Sequence, residues 1–334
     1  MKYSVILPVR NGGNQAKECI KSILSQTFPN FDLIVLENSS TDDTLEWLRA
    51  MNDYRIKVFS SPQPLRIEEN WGRIISVPKN EYITLIGHDD LLSPDYLQTM
   101  DELIRKHPNA SLYQTHFRYI NSDGNDIGKC RPMAEVQFPG EAIHNFLCNK
   151  TDLMGTGFMM RSKDYDNVGG IPPYPNLLFA DMELWIELSR KSYLAVDKRE
   201  CFAYRKHPAA TTSASTDAKF LESFELLVNY LSNLRINNPD LSEVISADSA
   251  HILKQYCQAI THKVLRTPKS RRQTPGVSDI IDQFREFGYK LGNENFEPLD
   301  FGNIRMGRMI DDNNLLHALF LLFKRLYKKP VLKN

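Results

Sequence analysis

Tyr82-Ile-Thr-Leu-Ile-Gly-His-Asp-Asp90 is the stretch on which the reading of this chain turns. Tyr82 to Ile86 is an uncharged, β-rich run, the pattern of a strand covered on both faces of its sheet. It ends in a glycine, a histidine and two adjacent acids. Neighbouring carboxylates repel each other unless a cation or strong donors sit beside them. Hard oxygen ligands of this kind suit Mg²⁺ or Mn²⁺, which keep waters and bridge to a substrate diphosphate. The plainer reading is that Asp89 or Asp90 caps a helix opening at Ser93-Pro94, with proline in its first turn.

Working outward, Tyr3–Leu7, Phe31–Leu36 and Arg55–Phe59 read as further strands. They alternate with helical spacing over Ala16–Gln26, over a helix opened by the capping-box-like Ser40-Thr-Asp-Asp43 and reaching about Met51, and over Ile67–Val77. Such alternation predicts βαβ units and a mostly parallel sheet flanked by helices. Ligands of open α/β sheets bind beyond the carboxyl ends of the strands. Four polar clusters fall there: Pro8-Val-Arg-Asn11, Glu37 to Asp42, Arg66 to Trp71, and His88-Asp-Asp90. There is neither GxGxxG nor GxxxxGK[ST], so a bound nucleotide would be held by metal and side chains. Ser111–Ile120, Phe158–Arg161 and Tyr193–Tyr204 read as later strands, and Asn121–Gly128 as a turn-rich loop. Met154-Gly-Thr-Gly157 either lines a pocket, its glycines permitting close approach, or is only a loop before Phe158. Past residue 215 the pattern becomes helical, with Phe220–Leu234, Leu241–Leu265 and Asp279–Leu291. We therefore expect an α/β domain over 1–215 and a helical region over 216–334.

Composition narrows the function. The 334 residues carry 41 basic and 41 acidic side chains, a net charge of zero. That balance excludes general nucleic-acid binding, which rests on Lys and Arg neutralising phosphates. Five scattered cysteines (Cys19, Cys130, Cys148, Cys201, Cys257) without a CxxC pair give neither a disulfide framework nor a zinc site. They fit a cytoplasmic protein. His107, His116, His144, His251 and His262 stand alone in sequence and read as surface or core histidines. Leu315 to Phe323, the longest apolar stretch, is about half a bilayer span. With Lys324, Arg325, Lys328, Lys329 and Lys333 after it, the tail suits an interfacial helix on anionic lipid. It equally suits a helix packed on the catalytic domain or on a second copy, giving a homo-oligomer.

Six stretches in order, Ser4–Asn11, Ser22-Ile-Leu-Ser-Gln-Thr-Phe28, Ile34–Asp42, Tyr82–Asp90, Val168-Gly-Gly170 with Asp181-Met-Glu-Leu-Trp185, and Tyr204-Arg-Lys-His207, resemble a family 2 glycosyltransferase. The resemblance covers about residues 1–215 and is nearest to bacterial enzymes that build cell-surface polysaccharides. It implies the GT-A fold and inverting transfer of a sugar from a nucleotide-sugar, with Mn²⁺ or Mg²⁺. The donor would be a UDP-hexose or UDP-N-acetylhexosamine, and the acceptor a growing surface glycan (O-antigen, capsule or lipooligosaccharide), in some members lipid-linked. By motif position, Pro8, Arg10 and Asn11 would line the nucleotide pocket and Glu37 would accept a hydrogen bond from the base. Arg66 and Asn70 would meet base or diphosphate, and His88 and Asp89 the ribose or sugar. Asp90 and His207 would hold the metal, and Asp181 would be the catalytic base. Without the motif around it, Asp181 reads as a helix N-cap, and Trp185 is core or acceptor-pocket wall. The sequence departs from the family pattern at His88, at Asn38-Ser39 and at Ala180. A nucleotidyltransferase and a non-catalytic nucleotide-sugar-binding subunit are the competing readings.

Overall fold

The computed structural model describes residues 2–206, 215–272 and 275–327. The chain divides into two compact units. One comprises Met1–Ala142 and Thr151–Ala214; the other comprises Ile143–Lys150 and Ser215–Asn334. Eight residues from the middle of the α/β half thus fold with the helical half, which the sequence pattern does not announce.

The first unit is built on β1 (Tyr3–Val9), buried at every position. It is flanked in parallel by β2 (Phe31–Glu37) and β4 (Tyr82–Leu85), and β3 (Ile56–Ser60) joins β2 in parallel. Helices α1 (Gly13–Leu24), α2 (Thr44–Ala50) and α3 (Ile67–Gly72) connect them. Beyond β4 the sheet becomes mixed. β5 (Leu91–Leu92), β6 (Leu112–Ile120), β7 (Asp126–Lys129), β8 (Val136–Gln137), β9 (Phe158–Arg161) and β10 (Leu194–Arg205) complete it, and the main path runs β3-β2-β1-β4-β9-β6-β10-β5. β9 pairs antiparallel with both β4 and β6, whereas β6 and β10 are parallel. The expected "mostly parallel" sheet holds for the first four strands, and the turn-rich loop after β6 includes the edge strand β7.

Helices α4 (Tyr96–Lys106), α6 (Ser162–Asn167) and α7 (Ala180–Ser189) complete the α/β half, whereas α5 (Pro139–Leu147) begins in it and from Ile143 belongs to the second unit. α4 starts at Tyr96, so Ser93-Pro94 lies before its first turn. That segment is held instead by the residues just after α1: Ser93 O accepts from Gln26 Nε2 (2.7 Å), Pro94 O from Thr27 N (2.8 Å), and Gln26 Oε1 from Leu97 N (2.9 Å). Ser22 Oγ accepts from Leu92 N at 3.1 Å. The Ser-x-Leu-x-Gln-Thr run thus clamps the chain just after the acidic turn.

The second unit contains α8 (Asp217–Asn237), α9 (Pro239–Leu265), α10 (Val277–Lys290), α11 (Gly302–Asp312) and α12 (Asn314–Leu326). Phe224 of α8 stacks on Phe284 of α10, with centroids 5.3 Å apart. No described helix is long and apolar enough to cross a membrane.

Candidate active site

The register places the polar clusters on one edge. Val9 lies opposite Glu37, Glu37 opposite Ser60, and Ile6 opposite Leu85, so the chain leaves β1 to β4 on the same side of the sheet. Pro8 is buried in β1, and Arg10 is exposed just past it. Asn11 takes a left-handed conformation (φ 51°). Its N–H donates to Ser40 Oγ (3.0 Å) and its Oδ1 accepts from Thr41 N (2.7 Å). Glu37 is fully buried, and Oε1 accepts from Ser40 N (2.6 Å). Its Oε2 is buried with no hydrogen-bond partner among the described residues, a costly state for an acceptor.

Asn38 holds the next loop, exchanging hydrogen bonds with Leu65 O (3.0 Å) and Leu65 N (2.7 Å). Asn70 is committed within the protein: Nδ2 donates to Leu36 O (3.2 Å) and Oδ1 accepts from Arg73 Nη1 (2.8 Å). Arg73 also donates to Glu37 O and Phe59 O. Through these bonds the Asn70 amide braces the strand ends. Arg66 opens α3 with an exposed side chain paired to Glu69 at 3.0 Å.

The acidic side chains pack close over Gly87. A Cβ there would sit 2.7 Å from Asp89 Oδ1 and 3.1 Å from Asp90 Oδ2. Asp90 is 2% exposed. Oδ2 accepts from Thr156 Oγ1 (2.8 Å) and Oδ1 from Arg205 N (3.0 Å). Burial, then the charge of Asp89, pushes its carboxyl well above the usual range despite those donors. Asp89 and His88 are partly exposed. Beneath them lies Arg205, which the motif reading left without a role. Its buried guanidinium donates to Asp89 O (2.7 Å), Ser122 O (2.9 Å) and Glu18 Oε2 (2.8 Å).

Asp181 stands in the first turn of α7, but the N-cap is Phe179 and not Asp181. Asn176, Leu177 and Phe179, just before it, all have positive φ, a strained backbone of the kind that clusters at functional sites. Desolvation raises the Asp181 pKa to about 6, against the Met182 N–H that donates to Oδ1 at 3.0 Å. The Met154–Gly157 segment joins the two acidic positions. A Cβ on Gly155 would lie 3.4 Å from Asp181 Oδ2, while Thr156 holds Asp90. Trp185 is wholly buried core, stacked on Phe158 at 4.4 Å, and its Nε1 donates to Met154 O. The Tyr204 phenol is pushed up to about 12 by burial and by the charges of Asp90, Asp89 and Asp181, so one hydroxyl feels all three carboxylates. His207 lies outside the described residues.

Residues 4–169 match the family model for glycosyl transferase family 2. The chain belongs to that family. Among curated relatives, this transferase is 31% identical over 124 residues to the glycosyltransferase GlyG of Streptococcus pneumoniae, matching 36% of this chain and 41% of that protein. The alignment therefore spans less than half of that relative's length. In fold the transferase is similar to S. aureus TarS solved with UDP-GlcNAc (TM-score 0.69, 15% identity, 93% of this chain and 91% of that one). It is also similar to the mannosyltransferase PcManGT of Pyrobaculum calidifontis solved with GDP-Man and Mn²⁺ (TM-score 0.52, 12% identity, 98% and 88%).

Proposed function

We propose that this family 2 glycosyltransferase moves a hexose or N-acetylhexosamine from a UDP-sugar to a hydroxyl of a growing cell-surface glycan, with inversion. The observation that carries the reading is the single segment Met154–Gly157 supporting both an acidic pair at a strand end and a carboxyl raised to about 6. Asp181 takes the proton of the acceptor hydroxyl as that oxygen attacks the anomeric carbon; the bond to the diphosphate breaks on the opposite side. One base in line with the leaving group needs no covalent intermediate. The buried Glu37 Oε2, without a partner among the described residues, accepts the hydrogen bond of a nucleobase N–H. Pro8, Arg10 and Asn11 border the same pocket, and Arg66 and His88 meet the donor beside it.

The oxygen donors at residues 89 and 90, two adjacent carboxyl groups at one strand end, fit a hard divalent cation. With Thr156 Oγ1 and the Arg205 N–H fixing the Asp90 carboxylate, we give the cation to Asp90, with Asp89 beside the donor and His207 a further ligand. Bound there, Mn²⁺ or Mg²⁺ would offset the charge of the leaving diphosphate. Asp181→Asn is expected to lower turnover by orders of magnitude while leaving UDP binding, read by calorimetry, unchanged. Near-normal turnover would remove Asp181 from the role. Slow hydrolysis of the donor without acceptor would set the enzyme apart from a mere binding subunit, and pyrophosphate release from an NTP would mark a nucleotidyltransferase.

The acceptor side of the proposal draws on α12. Leu315, Leu319, Leu322 and Leu326 are exposed along one stripe, and Lys324 and Arg325 fall in its last turn. We read this helix as lying on the anionic cytoplasmic face of a membrane, where a lipid-linked acceptor is met. The chain is expected to co-sediment with anionic liposomes and to lose this on truncation after residue 312. Loss of a dimer on the same truncation, without any sedimentation, would instead assign the stripe to a second copy.

A further inference from the structure

The second unit holds a cluster that the spacing of cysteines and histidines in the sequence argues against. His144 lies in the last turn of α5, and Cys148 follows one turn later, so both leave the helix end on one side. Asp248 of α9 meets them there. His144 Nδ1 is 2.6 Å from Asp248 Oδ2 and 3.9 Å from Cys148 Sγ. One donor atom from each of the three lies within 4.8 Å of the others, the only such group among the described residues. All three residues belong to the second unit.

We propose that His144, Cys148 and Asp248 form a binding site for a borderline-soft divalent cation, best matched by zinc, apart from the acidic turn of the transferase. The chemistry separates the two sites. Thiolate, imidazole and carboxylate are the ligand types of zinc, whereas the oxygen-only pair at residues 89 and 90 suits magnesium or manganese. Metal–ligand bonds of about 2.0–2.3 Å put tetrahedral ligand atoms roughly 3.3–3.8 Å apart. The present separations need shifts of about an ångström or less, and the fourth position is left to water. His144 is partly exposed, so an ion can enter.

In the metal-free cluster Nδ1 of His144 faces the Asp248 carboxylate at 2.6 Å and Nε2 faces Lys150 Nζ at 2.7 Å. Binding at Nδ1 leaves the imidazole proton on Nε2, displaces Lys150, and releases one proton from the thiol. Lys150 is therefore a built-in competitor for the ion. The bond would tie the 143–150 segment to α9.

The test titrates the full chain with Zn²⁺ alone, by calorimetry in two buffers of different ionisation enthalpy. Co²⁺ serves as a spectroscopic substitute that shows thiolate charge transfer. Expected are one such site with release of about one proton, and affinity at least about tenfold weaker in Cys148→Ser and Asp248→Asn. The cobalt band should vanish in Cys148→Ser, binding should tighten in Lys150→Ala, and the band should persist in Asp89→Asn. Absence of saturable binding overturns the proposal, as does zinc affinity or a cobalt band that Cys148→Ser leaves unchanged.

Discussion

The base role proposed for Asp181 sets activity and stability against each other in one carboxyl. A base must be ionised, so the rate is expected to fall as pH drops through about 6, and a pH–rate profile without that limb would contradict its assignment. The stability sign runs the other way. An acid whose folded pKa lies above its unfolded value of about 3.9 binds more protons when folded between those values, so stability declines as pH rises from about 4 to about 6. Above that window Asp181→Asn should raise the melting temperature while silencing the enzyme. Arg205 is the complementary case. Arg205→Met leaves the carbonyls of Asp89 and Ser122 without their donor, at about 1–3 kcal/mol for each buried acceptor, and loosens the turn that holds Asp89. Its kcat is expected to fall more than its affinity for acceptor; an unchanged kcat would make Arg205 merely structural. Asp181 is legible in the sequence because a motif surrounds it. Arg205 has no such signature, since what it holds is backbone oxygen from residues far away in the chain.

At the scale of elements, the first four strands were readable because each is a short apolar run closed by polar residues. What lies past β4 was less so: β9 has only four residues, and nothing in Phe158–Arg161 reveals that both its neighbours run antiparallel. The helix α11 was missed for a related reason. Its sequence, Gly-Asn-Ile-Arg-Met-Gly-Arg-Met-Ile-Asp-Asp, has two glycines and only three buried positions. One glycine is the contact itself: a Cβ at Gly307 would lie 2.5 Å from Thr261 Cγ2 of α9. Gly307→Ala is therefore expected to destabilise the helical unit by about 1–3 kcal/mol, although alanine favours helices. Thermal unfolding checks this, and a stabilised variant would show that the helices can part freely. Motif residues can also mislead about role. Ser22 and Gln26 belong to the family pattern, yet here they fasten a loop and touch no acid.

Over the whole molecule, zero net charge averages two uses: acids gathered at the strand ends, and lysines and arginines without acids after Asp312. The change from strand to helix pattern near residue 215 was visible, because periodicity is local. The transfer of residues 143–150 to the helical unit was not, because it depends on partners about a hundred residues away. A chain stopped at residue 214 would keep that segment and lose the rest of its unit. It is expected to melt well below the full chain; equal melting temperatures would show the segment to be self-sufficient.

The same excursion sets a schedule for synthesis. Ile143, Phe146 and Leu147 are buried in the finished fold, but α9 is complete only when residue 265 has been made. At roughly 5–20 residues per second, the 115 residues between Lys150 and Leu265 take about 6–23 s. For that interval the nascent catalytic half carries an apolar patch awaiting its cover, so a ribosome-associated chaperone has a defined place and a defined time to act.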